Sequence, residues 1–277
     1  MSLIPKEIES HYQQTRESER LSQGFGELER FRTQAILARY LPPPPATILD
    51  VGGAAGVYAF PLSNQGYLVH LVDPVELHLE QARSYASASH VELASITLGD
   101  ARHLDVRDGT ADAVLLLGPL YHLVERADRL RALREANRIL KPGGVLFAAA
   151  ISRFASLIDG LSRGFFRDPQ FRKIIADDLA SGQHRNPGNR PEYFTTAYFH
   201  HPGQLASEVR EAGFGDLKIL AVEGPVWSTA HVLEAWTDET QRQDLMDFLA
   251  LIEQEGSLVG ASAHLIAVAH RQLVPAS

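Results

Sequence analysis

The stretch Ala46-Thr-Ile-Leu-Asp-Val-Gly-Gly-Ala-Ala-Gly56 decides the fold of this 277-residue chain. Its first half contains a short apolar run, as expected for a buried strand, and Gly52, Gly53 and Gly56 follow at once. From Val57 the sequence is typical of a helix. A strand, a glycine turn and a helix let backbone N–H groups approach a ligand closely, because glycine has no Cβ and tolerates positive φ angles. A tight turn in any α/β protein is the other interpretation of this pattern.

A second apolar strand is predicted at 67–72, and it ends in Asp73. An acidic residue about 20 positions beyond a glycine loop can accept hydrogen bonds from ribose hydroxyls. A dinucleotide-binding loop would need glycine where this chain has Ala54, and Asp50 would repel a pyrophosphate. Asp50 is better suited to orienting the loop or to holding a cationic ligand, directly or through water. A nicotinamide-dependent oxidoreductase is therefore disfavoured, although it stays an alternative.

Several segments between about residue 46 and residue 150 resemble the motifs of the class I S-adenosylmethionine-dependent methyltransferases, in that family's order and spacing. The similar segments are Asp50–Gly56, Asp73, Gly99–Ala101, Ala111–Val114, Leu117–Leu123 and Leu140–Gly144. Ala54 departs from the commoner glycine of the first motif. The resemblance implies a doubly wound, Rossmann-like α/β fold with a seven-stranded sheet whose last strand runs antiparallel. It also implies S-adenosyl-L-methionine as the cofactor.

The resemblance further implies a role for each matching residue. Asp73, with Pro74 beside it, would hold the ribose, while Asp100 and the backbone N–H of Ala101 would hold the adenine. The loop at 52–54 would hold the methionine end. The full predicted cofactor-binding set is Asp50, Gly52, Gly53, Ala54, Asp73, Pro74, Asp100, Ala101, Leu117, Gly118, Tyr12 and Arg20. Tyr12 and Arg20 belong to a polar helix predicted at 7–21 and could hold the methionine carboxylate or the acceptor. The alternative for this helix is a solvated surface helix.

Tyr121 and His122 are the predicted catalytic residues. Methyl transfer from a sulfonium requires orientation of the two reactants, and a base where the nucleophile must lose a proton. Both residues follow the fourth predicted strand, at the switch point of the sheet. His122 can act as a general base near neutral pH. The alternative is a structural histidine that bonds to a backbone carbonyl near the cofactor.

Four aromatic side chains are predicted to line the acceptor pocket, namely Tyr193, Tyr198, His200 and Trp227. Packing in the core is the alternative for each of them. His200 and His201 are adjacent on an extended segment, so their side chains point in opposite directions. With no matching carboxylate cluster in the sequence, no metal site is predicted.

The chain is expected to divide into an N-terminal helical segment, a cofactor-binding core, a cap and a C-terminal part of the core, with bounds 1–45, 46–151, 152–200 and 201–277. The cap segment is rich in aromatics, and about 50 residues are too many for a simple connection. No regular sheet motif fits it, so we expect a mobile lid formed with residues 6–21. A contact in a homodimer is the alternative. In the helix predicted at 74–88, Leu77, Ala82 and Tyr85 are expected to face inward.

Composition limits the function further. The formal net charge of −8 argues against a broad nucleic-acid surface, and the absence of cysteine excludes disulfides and thiolate sites. No apolar run approaches the roughly 20 residues that span a bilayer. No signal-peptide core is recognised, so a cytoplasmic protein without membrane or nucleic-acid partners is expected. The resemblance to methyltransferases implies transfer of a methyl group to an O or N atom of a small molecule. The alternative is a nucleoside-cofactor-binding protein without transferase activity.

Overall fold

A mixed β-sheet with helices on both faces organises the residues that this computed structural model describes, 4–14, 20–229 and 231–273. The strands are β1 (Thr47–Val51), β2 (Leu68–Asp73), β3 (Ser95–Leu98), β4 (Ala111–Leu116), β5 (Leu140–Ser152), β6 (Gln183–His184), β7 (Ala197–His200), β8 (Phe214–Ala221) and β9 (His264–Arg271). The helices are α1 (Lys6–Gln14), α2 (Gly24–Tyr40), α3 (Ala59–Asn64), α4 (Glu76–Ser89), α5 (Pro119–His122), α6 (Arg126–Ile139), α7 (Ala155–Ser162), α8 (Pro169–Ser181), α9 (Pro202–Glu211), α10 (Val232–Thr237) and α11 (Glu239–Ile252).

The long strands of the sheet lie in the order β3-β2-β1-β4-β5-β9-β8. Strands β1 to β5 are parallel, and β9 runs antiparallel to both β5 and β8. This confirms the predicted doubly wound sheet of seven strands with an antiparallel last strand. Two short strands are additional: β7 pairs with the end of β5 in parallel, and β6 pairs with β7. The expectation that no sheet motif fits residues 152–200 was therefore wrong.

The sheet is buried on both faces, which explains its near-continuous apolar strands. Successive side chains of a strand point to opposite faces, so Leu49 packs in one core cluster while Ile48 packs in the other. Leu133 of α6 joins the first cluster, and Ile36 of α2 joins the second. All four side chains are at most 3% exposed. Helices on both sides thus hold the parallel strands in fixed register.

The order of the strands reverses at β1, which has β2 on one side and β4 on the other. In an open α/β sheet such a switch point leaves a crevice outside the carboxyl ends of the strands. The loops after β1, β2, β3 and β4 all emerge at that edge. The fold therefore brings the predicted cofactor-binding motifs together.

The insertion at 152–200 has a small core of its own. Phe171, Ile174 and Tyr193 pack there, each at most 5% exposed. The buried His184 joins its strand to this core, because Nδ1 lies 2.9 Å from Asp178 Oδ2 and Nε2 lies 2.7 Å from the carbonyl oxygen of Tyr193. These contacts agree with a cap that packs as a unit, while the bounds of the four segments stay a prediction.

Helix α1 packs against α5, because the hydroxyl of Tyr12 lies 2.5 Å from His122 Nε2. Residues 15–19 of the predicted polar helix lie outside the described residues, and α1 ends at Gln14. Gly24, expected to interrupt a helix, instead begins α2. Within 4–14, 20–229 and 231–273, no helix combines the length and apolar character needed to cross a bilayer.

Candidate active site

A cavity of about 280 Å³ lies at the carboxyl edge of the sheet. It brings together most of the predicted cofactor-binding set: its lining includes Tyr12, Asp50, Gly52, Gly53, Ala54, Asp73, Pro74, Asp100, Ala101, Leu117 and Gly118. The predicted catalytic residues Tyr121 and His122 are also in the lining. Arg20 is not part of it. Its guanidinium instead pairs with Glu29, a lining residue, with Nη2 2.9 Å from Oε1.

The glycine loop turns sharply at Gly52, which has a φ of 70°. A Cβ there would lie 2.6 Å from Cγ of Pro119, so glycine is required both by the backbone and by the close approach of the loop after β4. Ala54 adopts a φ of 49°, which is uncommon for alanine. Its N–H donates to Asp73 Oδ2 at 2.9 Å, so the loop is fixed to the end of β2.

Asp73 is 3% exposed and is held by three donors. Besides the Ala54 N–H, the Val75 N–H donates to Oδ1 at 2.9 Å, and His78 Nδ1 lies 3.0 Å from the same oxygen. The carboxylate therefore has a fixed orientation on the cavity wall. His78 was missed in the sequence, where Leu77 and Tyr85 were expected to face inward. They are 38% and 53% exposed, because the helix turns His78 and Leu79 inward instead.

Asp50 is completely buried beneath the loop. Neither of its carboxylate oxygens has a hydrogen-bond partner in the described structure, and the residue lines the cavity. Burial, together with the nearby charge of Asp73, raises the pKa of Asp50 to about 7. An unpartnered buried carboxylate that faces a cavity is suited to a cationic ligand group, or to a water that carries its proton.

Asp100 lies at the end of β3, where the adenine was expected. It already accepts from the backbone N–H of Arg102 at 2.9 Å and from that guanidinium, with Nε 3.0 Å from each oxygen. Arg102 also reaches Asp128, with Nη1 3.0 Å from Oδ2. The carboxylate of Asp100 is thus oriented by Arg102, a lining residue that the sequence did not single out.

Tyr121 and His122 lie on α5, which begins at Pro119 directly after β4. A Cβ built on Gly118 would lie 3.6 Å from the hydroxyl of Tyr121 and 3.0 Å from the carbonyl oxygen of Gly52, so this hydroxyl lies beside the loop after β4, close to the glycine loop. The hydroxyl of Tyr12 lies 2.5 Å from His122 Nε2. The ring of Phe194 stacks on His122 with centroids 5.9 Å apart. His122 is therefore the point where α1 and the insertion meet the core.

The four predicted acceptor residues are described, and none of them is in the lining of the cavity. Tyr193 packs in the core of the insertion and its hydroxyl donates to Asp168 at 2.8 Å. Trp227 is buried and donates from Nε1 to the carbonyl oxygen of Ala261 at 2.7 Å. Their placement corresponds to the packing alternative.

Tyr198 and His200 belong to a buried network around Arg129. The guanidinium of Arg129 lies 3.7 Å from the centre of the Tyr198 ring and forms two hydrogen bonds to Glu208, at 2.9 and 2.8 Å. His200 Nε2 lies 3.3 Å from Glu208. Burial opposes ionisation of Glu208, but the hydrogen bonds from His200 and Arg129 outweigh it and hold the pKa at about 2. Arg129 also donates to the carbonyl oxygen of Leu123, which lines the cavity.

A second cluster of charged side chains in the cavity wall, around His264, was not predicted from the sequence. His264, the first residue of β9, has Nδ1 2.6 Å from Glu223 Oε1 and 3.6 Å from Glu29 Oε2. Burial lowers the pKa of His264, but the charges of Glu29 and Glu223 outweigh it and raise the pKa to about 9. The three side chains offer ligand atoms within 4.8 Å of one another, a spacing that a metal ion could also use. The absence of a metal therefore stays a prediction.

Comparisons with known proteins indicate the type of domain. The methyltransferase domain family matches residues 49–148, which run from the glycine loop to β5. The ubiquinone biosynthesis O-methyltransferase of Methylocella silvestris is 33% identical over 117 residues, 42% of this chain. The match spans 44% of that relative, less than half of its length.

Two longer matches cover most of the chain. The ubiquinone/menaquinone biosynthesis C-methyltransferase of Paracoccus denitrificans is 30% identical over 201 residues, 69% of this chain and 74% of the relative. The crystal structure of a possible histamine N-methyltransferase from Thermotoga maritima has a TM-score of 0.56 at 20% identity, and covers 96% of this chain and 99% of its own. That structure supports the fold, and the Paracoccus relative supports the family.

Proposed function

The chain belongs to the class I S-adenosylmethionine-dependent methyltransferases, and from that premise we propose that it transfers a methyl group to an O or N atom of a small-molecule acceptor. The observation that carries the proposal is the cradle at the carboxyl edge of the sheet. There a glycine loop is fixed to Asp73, and the unpartnered Asp50 lies beneath it. The names of the relatives place their reactions in quinone biosynthesis, which is compatible with a small acceptor.

The residues present fit the cofactor. Asp73 accepts three hydrogen bonds, and a carboxylate offers about four lone-pair sites, so it retains capacity for a ribose hydroxyl. The cofactor's methionine part carries an ammonium group, and Asp50 is a buried carboxylate with no hydrogen-bond partner among residues 4–14, 20–229 and 231–273. Binding of that ammonium, directly or through water, would stabilise ionised Asp50. Asp100, held by Arg102, would take the adenine amino group.

The cofactor would supply a methyl group already activated by positive sulfur. The protein's own contribution would then be orientation and, for a hydroxyl or amine acceptor, removal of a proton. Tyr121 and His122 stand at the end of β4, where the methionine end and the acceptor would meet. His122 is either the base or the anchor of α1, since its Nε2 already contacts Tyr12.

Calorimetry tests the proposal. S-adenosylhomocysteine should bind saturably, whereas NAD should show no comparable binding. Replacing Asp73 by Ala should weaken S-adenosylhomocysteine binding by about 1.5–3 kcal/mol, the range for charge-assisted hydrogen bonds. Glu76→Ala is a matched control, because Glu76 is an exposed carboxylate three positions further on whose partner is Arg83. Binding of NAD alone would contradict the assignment of the cofactor.

The remaining expectations extend the proposal. A cytoplasmic location, the absence of nucleic-acid and membrane partners, and a homodimer stay predictions. A nucleoside-cofactor-binding protein without transferase activity would bind S-adenosylhomocysteine equally well. It would be distinguished by the absence of methyl transfer to any phenol, quinol or amine in an acceptor screen with radiolabelled S-adenosylmethionine.

A further inference from the structure

The order of the sheet divides the cavity into two halves. The predicted cofactor contacts follow β1, β2, β3 and β4, so the cofactor occupies the half above these strands. The other half lies above β5, β9 and β8, and the acceptor must enter there if the proposed function holds. Its walls include the apolar side chains of Leu21, Ala149, Val222 and Ile266.

The polar group of this second half is His264. It precedes Ile266 by two residues on β9, so both side chains face the cavity. Glu223 fixes the ring from behind, because it accepts from the His264 backbone N–H at 3.0 Å and lies 2.6 Å from Nδ1. Glu223 is itself held by the hydroxyl of Ser262 at 2.8 Å and is 2% exposed. This histidine is therefore held in one orientation.

The second ring nitrogen of His264 is available to a ligand. Nε2 has no hydrogen-bond partner among the described residues, and the side chain is 23% exposed. The charged groups that face His264 are Glu29 from α2, Glu223 after β8, and Arg20 beyond Glu29. Both carboxylates lie on the Nδ1 side of the ring. They favour the doubly protonated imidazolium, which leaves an N–H donor directed toward the cavity.

We propose that His264 is the acceptor-recognition residue, and that its Nε2–H donates a hydrogen bond to a carboxylate oxygen on an otherwise apolar small-molecule acceptor. This rests on the proposed function, since it assigns the acceptor to the half of the cavity that the cofactor leaves. The other cation of the lining, Arg102, is already engaged by Asp100 and Asp128 and lies at the adenine end. A charge-assisted hydrogen bond of this kind discriminates an anionic oxygen from a neutral one.

The test uses the 277-residue chain saturated with S-adenosylhomocysteine, measured with and without EDTA, with ¹⁵N-labelled histidine. The probes are 4-hydroxybenzoate, 4-hydroxybenzyl alcohol and tyramine, which share a phenol ring and differ in the charge of the para substituent. His264→Gln identifies the His264 signals. We expect 4-hydroxybenzoate to shift the Nε2 signal of His264 and to bind about tenfold or more tightly than the alcohol.

Two variants at this position separate charge from hydrogen bonding. His264→Gln keeps an N–H donor without the charge and should weaken 4-hydroxybenzoate about tenfold, whereas His264→Ala should abolish measurable binding. Both should bind S-adenosylhomocysteine as wild type does, which shows that the fold is intact. His231→Gln, at an exposed histidine that also pairs with a glutamate, should change nothing.

Three results would overturn the inference while leaving the proposed function in place. These are a His264 signal that no probe moves, tyramine binding more tightly than 4-hydroxybenzoate, or probe binding that EDTA removes. The second would assign recognition to Glu29, and the third would assign it to a metal ion at Glu29, Glu223 and His264. If wild-type protein fails to bind S-adenosylhomocysteine, the proposed function itself is wrong.

Discussion

Replacing Asp50 by Asn should stabilise the ligand-free protein at alkaline pH and weaken its cofactor binding. Asp50 has a pKa of about 7 in the folded protein, raised from 3.8 by burial and by Asp73. The difference of about 3 units corresponds to about 4 kcal/mol between the two protonation states. Because the folded pKa is raised, the stability gained from the proton is complete below pH 3.8 and is lost as pH rises to about 7.

Asn has the same shape as Asp and no charge, so Asp50→Asn does not lose this stability. Its amide has two N–H donors without partners where the protonated carboxyl has one O–H, and the extra donor costs about 1–3 kcal/mol. The net gain over wild type should therefore be about 1–3 kcal/mol at pH 8.5, and at pH 5 the stabilities of the two proteins should differ by no more than about 1.5 kcal/mol. Urea unfolding of the ligand-free protein at the two pH values measures both differences.

Asp112→Asn is the matched control, because Asp112 lies at the opposite edge of the sheet and is fully partnered. Burial opposes its ionisation, but hydrogen bonds from Lys141 and from the Thr47 N–H outweigh it and lower the pKa of Asp112. The stability that ionised Asp112 contributes is present at neutral pH and is lost as pH falls through that lowered pKa. Asp112→Asn should therefore destabilise at pH 8.5, the opposite sign from Asp50→Asn.

Cofactor binding completes the test. If the ammonium of S-adenosylhomocysteine stabilises ionised Asp50, binding at pH 6.5 should release roughly three quarters of a proton, the protonated fraction at a pKa near 7. Calorimetry in two buffers of different ionisation enthalpy measures this release. Asp50→Asn should abolish it and weaken binding by about 1.5–3 kcal/mol. A variant that is less stable than wild type at pH 8.5 and binds equally well would refute the reasoning.

Three further outcomes are expected. If His122 is a general base, His122→Ala should lower the turnover of a genuine acceptor by about 10²–10⁴-fold and leave the cofactor affinity nearly unchanged. If His122 is structural, the melting temperature should fall together with the turnover. Tyr12→Phe is the control, because it removes only the hydroxyl that contacts His122. Glu223→Gln should lower the melting temperature at pH 6 and lower it much less at pH 10. The pKa of its partner His264 is raised to about 9, so the stability that this pair contributes is complete below pH 6.5 and is lost as pH rises through 9. Hydrogen exchange should slow in residues 6–21 or 152–200 when S-adenosylhomocysteine is added, and identical exchange in both states would make these segments a rigid wall or a subunit contact.

The cofactor half of the site could be predicted because its residues are consecutive or follow strands at fixed intervals. Gly52 and Asp73 are 21 positions apart, yet the parallel pairing of β1 and β2 places them side by side. The residues that contact the glycine loop can therefore be predicted from their spacing in the sequence, without any knowledge of tertiary packing. His78 was not predicted for a local reason: the hydrogen bond to Asp73 holds it inward, whereas Leu77, Ala82 and Tyr85 were the expected inward positions.

The acceptor half could not be predicted because its residues come from distant elements. Glu29 lies on α2, while Glu223 and His264 flank β8 and β9, and only the antiparallel pairing of these last two strands joins them. None of the three belongs to a motif with fixed spacing. The aromatic side chains of the insertion and Trp227 were expected to line a pocket, yet Tyr193 packs in the core of the insertion and Trp227 in another core cluster.

Two of the predicted acceptor residues influence the cavity indirectly, through Arg129. Tyr198 lies under its guanidinium, and His200 bonds to Glu208, which fixes that guanidinium from the side. Arg129 in turn donates to the carbonyl oxygens of Leu123 and Val124, so the insertion determines the path of the loop that follows His122. Removing one partner from a buried charged network leaves the other charge unpaired, at a cost of about 3–5 kcal/mol. Substitutions here should therefore change thermal stability and the pose of His122 together, whereas substitutions at a surface that touches the acceptor would change the affinity for the acceptor alone.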